Sequence, residues 1–159
     1  MTKKAIVLLA DGFEDVEAVT PIDYMSRAGI EVTTVSILES CLIVTSRWGG
    51  IKMTANTTLA ELSGKGNDWD AVIIPGGIPG VANLAASKET GALIKDMSAA
   101  GKLICAICAA PVIVLAPLGL IAGKRFTISV SHNRQCCNGS GNFQPLHTHY
   151  ILFYKIIIR

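Results

Sequence analysis

The sequence predicts an α/β fold in which a doubly wound parallel sheet is covered by helices on both faces. Three observations lead to this prediction. Half of the residues are hydrophobic and only 16% are charged, so most elements should be buried on more than one side. Several short, continuous apolar runs are typical of buried strands. Segments with helical spacing of apolar residues separate these runs, and a length of 159 residues suits one compact domain.

The first elements form a β-α-β unit. Residues 4–10, KAIVLLA, are a continuous apolar run that ends at an Asp-Gly turn, as expected of a central parallel strand. Residues 31–37 are predicted to form the next strand. Between the two strands a helix is predicted, because apolar residues recur at helical spacing at Val16, Val19, Ile22, Met25 and Ala28.

The middle of the chain continues the same alternation. Residues 41–57 contain two short β-type stretches around a Gly-Gly turn and are predicted to form a hairpin. Residues 70–75, DAVIIP, form a buried strand that ends in a glycine-rich loop, and residues 87–100 form a helix. Residues 103–107 form a third buried strand. Ligands of such folds bind at the carboxyl ends of the strands, so the candidate site should lie there.

Cys108 is the first candidate catalytic residue. It lies between the strand LICAI and a segment that opens with Ala109 and reaches Pro111 two residues later, where a missing N–H costs a helix nothing. The small neighbours allow a sharp strand-to-helix turn of the nucleophile-elbow kind. Unpaired N–H groups at the start of the helix would lower the pKa of the thiol. The alternative is a buried structural cysteine, and this alternative is the one that we prefer for Cys105.

Three further positions should share the edge of the sheet with Cys108. Glu17 lies one turn past the first strand, where a desolvated carboxyl with a raised pKa could hydrogen-bond the thiol or carry a proton for it. The alternative for Glu17 is a solvated acid at a helix N-terminus. Gly76 and Gly77 would present backbone N–H groups, which together with the N–H of Ala109 form a candidate oxyanion hole.

The composition argues against several other classes of protein. The net charge is only +2 and the basic residues are scattered, so nucleic acid is not an expected partner. Five cysteines without a secretory signal indicate a reducing compartment, by default the cytoplasm. The uncharged stretch 103–122 approaches the length of a membrane span, but Pro111 and Pro117 interrupt it, so no membrane association is expected.

Residues 128–159 differ in character from the rest. They are polar and rich in Gly, Asn and Ser, and they are predicted to form a loop followed by a possible edge strand in ILFYKIIIR. The domain prediction is therefore an α/β domain over 1–127 and a divergent tail over 128–159. The tail also contains potential zinc ligands, whose spacing does not match the usual pattern, so neither a metal nor another cofactor is expected. These ligands are His132, Cys136, Cys137, His147 and His149.

Four ordered segments resemble one protein family. LLADGFEDVEAVTPIDYMSRAGIEVTTVS, TSRWGGIKMTANTTLAEL, DAVIIPGGIPGVANL and ICAICAAP look like segments of the DJ-one-like branch of the ThiJ/PfpI superfamily, over about residues 3–127. The resemblance implies that Cys108 is an oxidisable nucleophile and that Glu17 is the acid hydrogen-bonded to it. It also implies that Gly76 and Gly77 form an anion-binding loop.

The resemblance carries expectations about assembly and activity as well. Arg27 and Arg47 match family arginines near the dimer interface and the site, and a homodimer is expected. Peptidase-like members carry a histidine after the nucleophile, whereas Ala109 stands here, which argues against a peptidase. After residue 127 the family's last strands and closing helix are not recognisable, as a frameshift or an alternative splice would produce.

The leading functional hypothesis is a cysteine enzyme without a cofactor. It would convert small α-oxoaldehydes such as methylglyoxal and glyoxal to hydroxy acids, or remove early glycation adducts from proteins. One alternative is a redox sensor or chaperone in which Cys108 is oxidised without turnover. The second alternative is a truncated, inactive member of the family.

Overall fold

The structure of the chain, a computed structural model, describes residues 2–62, 64 and 68–124. Beyond these it describes the backbone of four strands, at 126–130, 133–137, 143–145 and 155–158. In chain order the strands are β1 (Lys4–Leu9), β2 (Glu31–Ser36), β3 (Ile43–Thr45), β4 (Lys52–Thr54), β5 (Thr57–Thr58), β6 (Ala71–Ile74), β7 (Leu103–Ile107), β8 (Phe126–Val130), β9 (Asn133–Cys137), β10 (Phe143–Pro145) and β11 (Lys155–Ile158).

The helices are α1 (Asp15–Arg27), α2 (Gly80–Ala86) and α3 (Lys88–Ala99), with a 3-10 turn at Ala60–Leu62 and a single π-helical turn at Pro111–Leu115. Helix α3 is capped by Ser87, the residue before it, whose hydroxyl accepts a hydrogen bond from the N–H of Thr90 at 3.0 Å. The predicted β-α-β unit, the hairpin of β3 and β4, and the strands β6 and β7 are confirmed. Helix α2 was not predicted.

A six-stranded sheet organises the fold, with the strand order β11-β7-β6-β1-β2-β5. Its pairs are parallel from β7 through to β5, and only β11 runs antiparallel to its neighbour. The predicted doubly wound parallel sheet is therefore confirmed, with one antiparallel edge strand. Within the described part of the chain, no helix combines the length and the apolar character that a bilayer crossing requires.

The side chains of β1 alternate between two apolar clusters, one on each face of the sheet. Ile6 and Leu8 belong to the cluster that packs against α2 and α3, whereas Val7 and Leu9 belong to the cluster beneath α1. All four are fully buried. Burial on both faces explains why the sequence of β1 is continuously apolar, with no polar residue at alternate positions.

Part of the prediction for residues 128–159 is wrong. Much of the segment predicted as a loop consists of β8, β9 and β10, which form a three-stranded antiparallel sheet. Polar, Asn- and Gly-rich composition is a turn signal, but an antiparallel hairpin needs only backbone pairing in register. The strand predicted near the end is confirmed over Lys155–Ile158, where β11 pairs with β7 at the edge of the central sheet.

Candidate active site

Cys108 occupies a strained turn directly after β7. Its φ angle is +62°, in the left-handed region that residues with a Cβ rarely adopt. Ala109 and Ala110 follow and are buried, and Pro111 opens the π-helical turn. This is the sharp strand-to-helix turn that the sequence predicts, and it places a half-buried thiol at the carboxyl edge of the sheet.

Glu17 lies in the first turn of α1, at the same edge. Its Oε2 atom accepts a hydrogen bond from the backbone N–H of Gly76 at 2.8 Å. The Cys108 thiol also hydrogen-bonds the Glu17 carboxyl. The structure therefore brings together the two residues predicted to carry the chemistry, although they lie far apart in the sequence.

Burial raises the pKa of the Glu17 carboxyl above its ordinary value, as predicted. The hydrogen bonds from the Gly76 N–H and from the Cys108 thiol act in the opposite direction, because they favour the ionised form. The negative charge of Glu14 adds to the increase. A buried carboxyl group with a raised pKa holds its proton more readily than an ordinary glutamate does, which suits a general acid–base role.

The pKa of Cys108 is raised, so the prediction of a lowered value is wrong. Burial of the thiol is the largest cause, and the charge of Glu17 is the second. The backbone N–H groups of Ala109 and Gly77 hydrogen-bond the sulfur and lower the pKa, but they do not outweigh the other two effects. Because Glu17 hydrogen-bonds the thiol, the pair is arranged to move one proton between sulfur and carboxyl as the sulfur reacts.

The loop after β6 has two distinct roles in the site. The N–H of Gly77 points to the sulfur, as does that of Ala109, which fits the predicted oxyanion hole. The N–H of Gly76 instead serves Glu17. The structure thus assigns Gly76 to orienting the acid rather than to receiving charge on a substrate.

Both glycines are required by close approach. A Cβ atom on Gly76 would lie 2.6 Å from the Cβ of Cys108 and would overlap the Glu17 carboxyl. Gly77 has a φ angle of +93°, and a Cβ atom there would lie 2.6 Å from the backbone nitrogen of Glu14. Gly76 therefore allows the loop after β6 to lie directly against the side chains of Glu17 and Cys108, and Gly77 allows it to lie against the backbone that leads into α1.

The two arginines singled out by the resemblance occupy different places. Arg27 lies in the last turn of α1, where its Nε donates to Asp23 at 2.9 Å. Arg47 lies in the turn of the β3–β4 hairpin, with its guanidinium carbon 4.3 Å from the centre of the Trp48 ring. The side chains of both arginines are exposed.

Sequence reasoning missed two residues beside the site. Glu14 donates its backbone N–H to the carbonyl oxygen of Gly76 at 3.0 Å, and its carboxylate accepts a hydrogen bond from Trp48 Nε1 at 3.1 Å. Trp48 is 71% exposed. A tryptophan in an exposed glycine-rich turn is itself the signal that could have drawn attention to it.

Cys105 lies in the apolar cluster beneath α1 and is 8% exposed, as the core interpretation predicts. The potential zinc ligands of the tail lie outside the residues whose side chains are described. Among the side chains that are described, no group of three or more His, Cys, Asp or Glu residues could hold a metal ion.

A groove of about 770 Å³ runs along α1 on this face of the sheet. Glu17 lies along it, Val16 and Pro21 form part of its wall on α1, and Cys105 contributes from β7. Glu17 therefore both hydrogen-bonds the Cys108 thiol and lines this groove.

The fold is a flavodoxin-like α/β sandwich. Its candidate site is a cysteine in a strained turn, with an acid hydrogen-bonded to the thiol and backbone N–H groups around the sulfur. The chain belongs to the DJ-1/PfpI family, whose model matches residues 3–144. The match extends past residue 127, where the sequence resemblance was expected to end.

Sequence similarity to individual proteins supports the same family. Protein dj-1beta of Drosophila melanogaster is 36% identical over 138 residues, which cover 87% of this chain and 71% of that protein. The Parkinson disease protein 7 homolog of Danio rerio is 37% identical over 125 residues, covering 79% of this chain and 64% of that one. A deglycase of Thermococcus kodakarensis is 31% identical over 129 residues, covering 80% and 73%.

Solved structures share the fold. A DJ-1 superfamily protein of Salmonella typhimurium superimposes with a TM-score of 0.72 at 43% identity, covering 77% of this chain and 64% of that one. Toxoplasma gondii DJ-1, solved in an oxidized form, has a TM-score of 0.73 at 32% identity, covering 87% and 79%. The chain thus spans about two thirds to four fifths of the length of these proteins.

Proposed function

We propose that the chain is a cysteine-dependent enzyme that converts small α-oxoaldehydes to hydroxy acids and, with the same residues, removes early glycation adducts from proteins. The observation that carries this proposal is the thiol of Cys108 hydrogen-bonded to the buried carboxyl of Glu17. The similarity to a protein named as a deglycase supports it. Neither the conversion of the aldehyde nor the removal of the glycation adduct needs a metal or a diffusible thiol in this proposal.

The reaction begins with the sulfur of Cys108 attacking the aldehyde carbon. Glu17 accepts the thiol proton as the carbon–sulfur bond forms and passes it to the aldehyde oxygen, which gives a hemithioacetal. This order suits a thiol with a raised pKa, because the proton leaves only as the sulfur reacts. The N–H groups of Gly77 and Ala109, which hydrogen-bond the sulfur, would stabilise negative charge on that oxygen.

The second stage is a proton shift within the bound molecule. Glu17 removes the hydrogen from the former aldehyde carbon as a proton and returns it to the neighbouring carbon, while the hydroxyl proton moves to the ketone oxygen. The product is a thioester of the hydroxy acid, with no net oxidation of the molecule. Water then cleaves the thioester, which releases the hydroxy acid and restores the thiol of Cys108.

The test is consumption of methylglyoxal by the purified protein without glutathione. Wild type should consume it and release lactate, and Cys108→Ser should not. Cys41→Ser is the matched control, because this exposed cysteine lies outside the site and its loss should leave the rate unchanged. Full activity in Cys108→Ser would show that the proposal is wrong.

A redox role for Cys108 is the second candidate, supported by the oxidized form of Toxoplasma gondii DJ-1. Hydrogen peroxide would transfer one oxygen atom to the sulfur and be reduced to water, giving a sulfenic acid, and a second hydrogen peroxide would add another oxygen in the same way to give a sulfinic acid. The Glu17 carboxyl could hydrogen-bond the new oxygens. A wild type that unfolds cooperatively, consumes no methylglyoxal and gains oxygen on Cys108 under dilute peroxide would favour this role.

An inactive chain is the third possibility, and its unfolding behaviour would differ from that expected of the enzyme or of the redox protein. A broad, non-cooperative thermal transition together with binding of a dye to exposed apolar surface would support it.

We also propose a homodimer, as the resemblance implies. Exposed apolar side chains on α1, including Val16, Val19 and Tyr24, are consistent with this assembly. Sedimentation at several protein concentrations tests it.

A further inference from the structure

The turn of the β3–β4 hairpin lies against the loop between β1 and α1. The N–H of Gly12 donates to the carbonyl oxygen of Thr45 at 2.8 Å, and the N–H of Arg47 donates to the carbonyl oxygen of Phe13 at 2.8 Å. Two backbone hydrogen bonds therefore fix the hairpin to the segment that leads into the helix carrying Glu17.

A side chain extends this contact to the first turn of α1. The indole N–H of Trp48 donates to Glu14 Oε2 at 3.1 Å, across 34 positions of sequence. The guanidinium of Arg47 lies over the Trp48 ring, with its central carbon 4.3 Å from the ring centroid. The stacking holds an exposed ring in one orientation, which a lone surface tryptophan would not keep.

Glu14 connects Trp48 to the candidate catalytic acid. It is the residue before α1, and its side chain does not cap the helix. Its backbone N–H instead donates to the carbonyl oxygen of Gly76 at 3.0 Å, and the N–H of the same Gly76 donates to Glu17 Oε2 at 2.8 Å. The hydrogen bonds form one chain from the indole through Glu14 and Gly76 to the Glu17 carboxyl.

We propose that Trp48 is a positioning residue for Glu17, acting by holding Glu14 and with it the first turn of α1 against the loop after β6. The inference rests on the proposed function insofar as Glu17 moves the proton. Helix starts are commonly fixed by a side chain that accepts from the helix's own N–H groups. Here the Glu14 carboxylate makes no cap hydrogen bond and instead accepts from Trp48, so the β3–β4 hairpin holds the start of α1 in place.

Trp48→Phe is the decisive variant, because it keeps a ring on which Arg47 can stack and removes only the indole N–H. The first measurement is the rate at which iodoacetamide alkylates Cys108 at neutral pH, followed by peptide mapping so that other cysteines do not contribute. Glu17 holds the thiol in its protonated form, so a less well placed Glu17 should increase the rate. We expect an increase of about threefold.

Trp69→Phe is the matched control. The Nε1 atom of Trp69 is buried and has no hydrogen-bond partner in the described part of the chain, so removing that N–H should not change the alkylation rate. A second control separates positioning from general loosening of the fold. In a Glu17→Gln background, Trp48→Phe should cause no further change, because the residue through which it acts has already lost its charge.

Turnover provides an independent readout. Trp48→Phe should lower kcat for methylglyoxal several-fold with little change in KM, since it misplaces a proton carrier rather than a binding group. If wild type consumes no methylglyoxal yet alkylation responds as expected, the proposed function fails and the positioning role stands. An alkylation rate unchanged in Trp48→Phe, or a change that persists in the Glu17→Gln background, would overturn the inference.

Discussion

The backbone N–H of Gly76 donates a hydrogen bond to Glu17 Oε2 at 2.8 Å, although 59 positions separate the two residues. The bond joins the loop after β6 to the first turn of α1. The acid of the site is therefore oriented by backbone, which cannot rotate away as a side-chain partner could.

Replacing Gly76 with alanine should disable the site. The new Cβ atom would lie 2.6 Å from the Cβ of Cys108 and would overlap the Glu17 carboxyl. We expect kcat for methylglyoxal to fall about a hundredfold, since misplacement of about 1 Å has this effect. The free energy of unfolding should fall by about 1–3 kcal/mol through overpacking. Turnover and urea unfolding measure the two effects.

Gly91→Ala is the control for Gly76→Ala. This glycine lies within α3, and its Cβ would meet only the flexible end of Leu118, at 3.3 Å. Activity should remain at the wild-type level. An active Gly76→Ala protein would contradict the close approach seen in the site.

Glu17→Gln should separate the reactivity of the thiol from turnover. Loss of the proton carrier should lower kcat by about 10²–10⁴-fold. The same change removes a negative charge that raises the pKa of Cys108, so alkylation of the thiol at neutral pH should become faster than in wild type. Slower alkylation in Glu17→Gln would mean that the carboxyl activates the thiol instead of keeping it protonated.

The raised pKa of Glu17 predicts a pH dependence of stability. Because the folded state binds this proton more tightly than the unfolded state, wild type should lose stability as the pH rises from the ordinary glutamate range through the raised pKa. Glu17→Gln does not titrate. Its free energy of unfolding, relative to wild type, should therefore improve between acidic and neutral pH. Urea unfolding at both pH values measures this difference, and a constant difference would contradict it.

The centre of the sheet should be sensitive to the loss of volume. Leu8 on β1 is fully buried, and Leu8→Ala should lower the free energy of unfolding by about 2–5 kcal/mol. Tyr24→Ala removes a larger side chain that is 69% exposed on α1, and it should cost much less. Similar losses in the two variants, measured by urea unfolding, would contradict the placement of β1 at the centre of the core.

The central strands could be predicted because each is a continuous apolar run, and Leu8 illustrates why: both faces of its strand are buried. Helix α2 could not. It begins at Gly80, directly after Pro79, and this pair is a turn signal in sequence. The helix is stabilised by tertiary contacts, since Val81 and Leu84 are buried against the sheet. Local propensity does not contain that contribution.

Some features of the candidate site could likewise be predicted from the sequence, and others could not. That Cys108 and Glu17 share an edge follows from the common direction of parallel strands, which the alternation of strand and helix predicts. The direction of the Cys108 pKa shift does not, because it depends on how burial and the charge of Glu17 compare with two N–H groups. The contacts of Gly76 and Trp48 join segments distant in sequence, and no local pattern encodes them.

The left-handed backbone of Cys108 places the proposed nucleophile at a position that costs the folded state stability. A residue with a Cβ atom in that conformation costs about 1–2 kcal/mol, a penalty that glycine would not incur. Selection for folding alone would therefore favour glycine at this turn. Under the proposed function, the thiol at position 108 is therefore kept at a cost in folding stability.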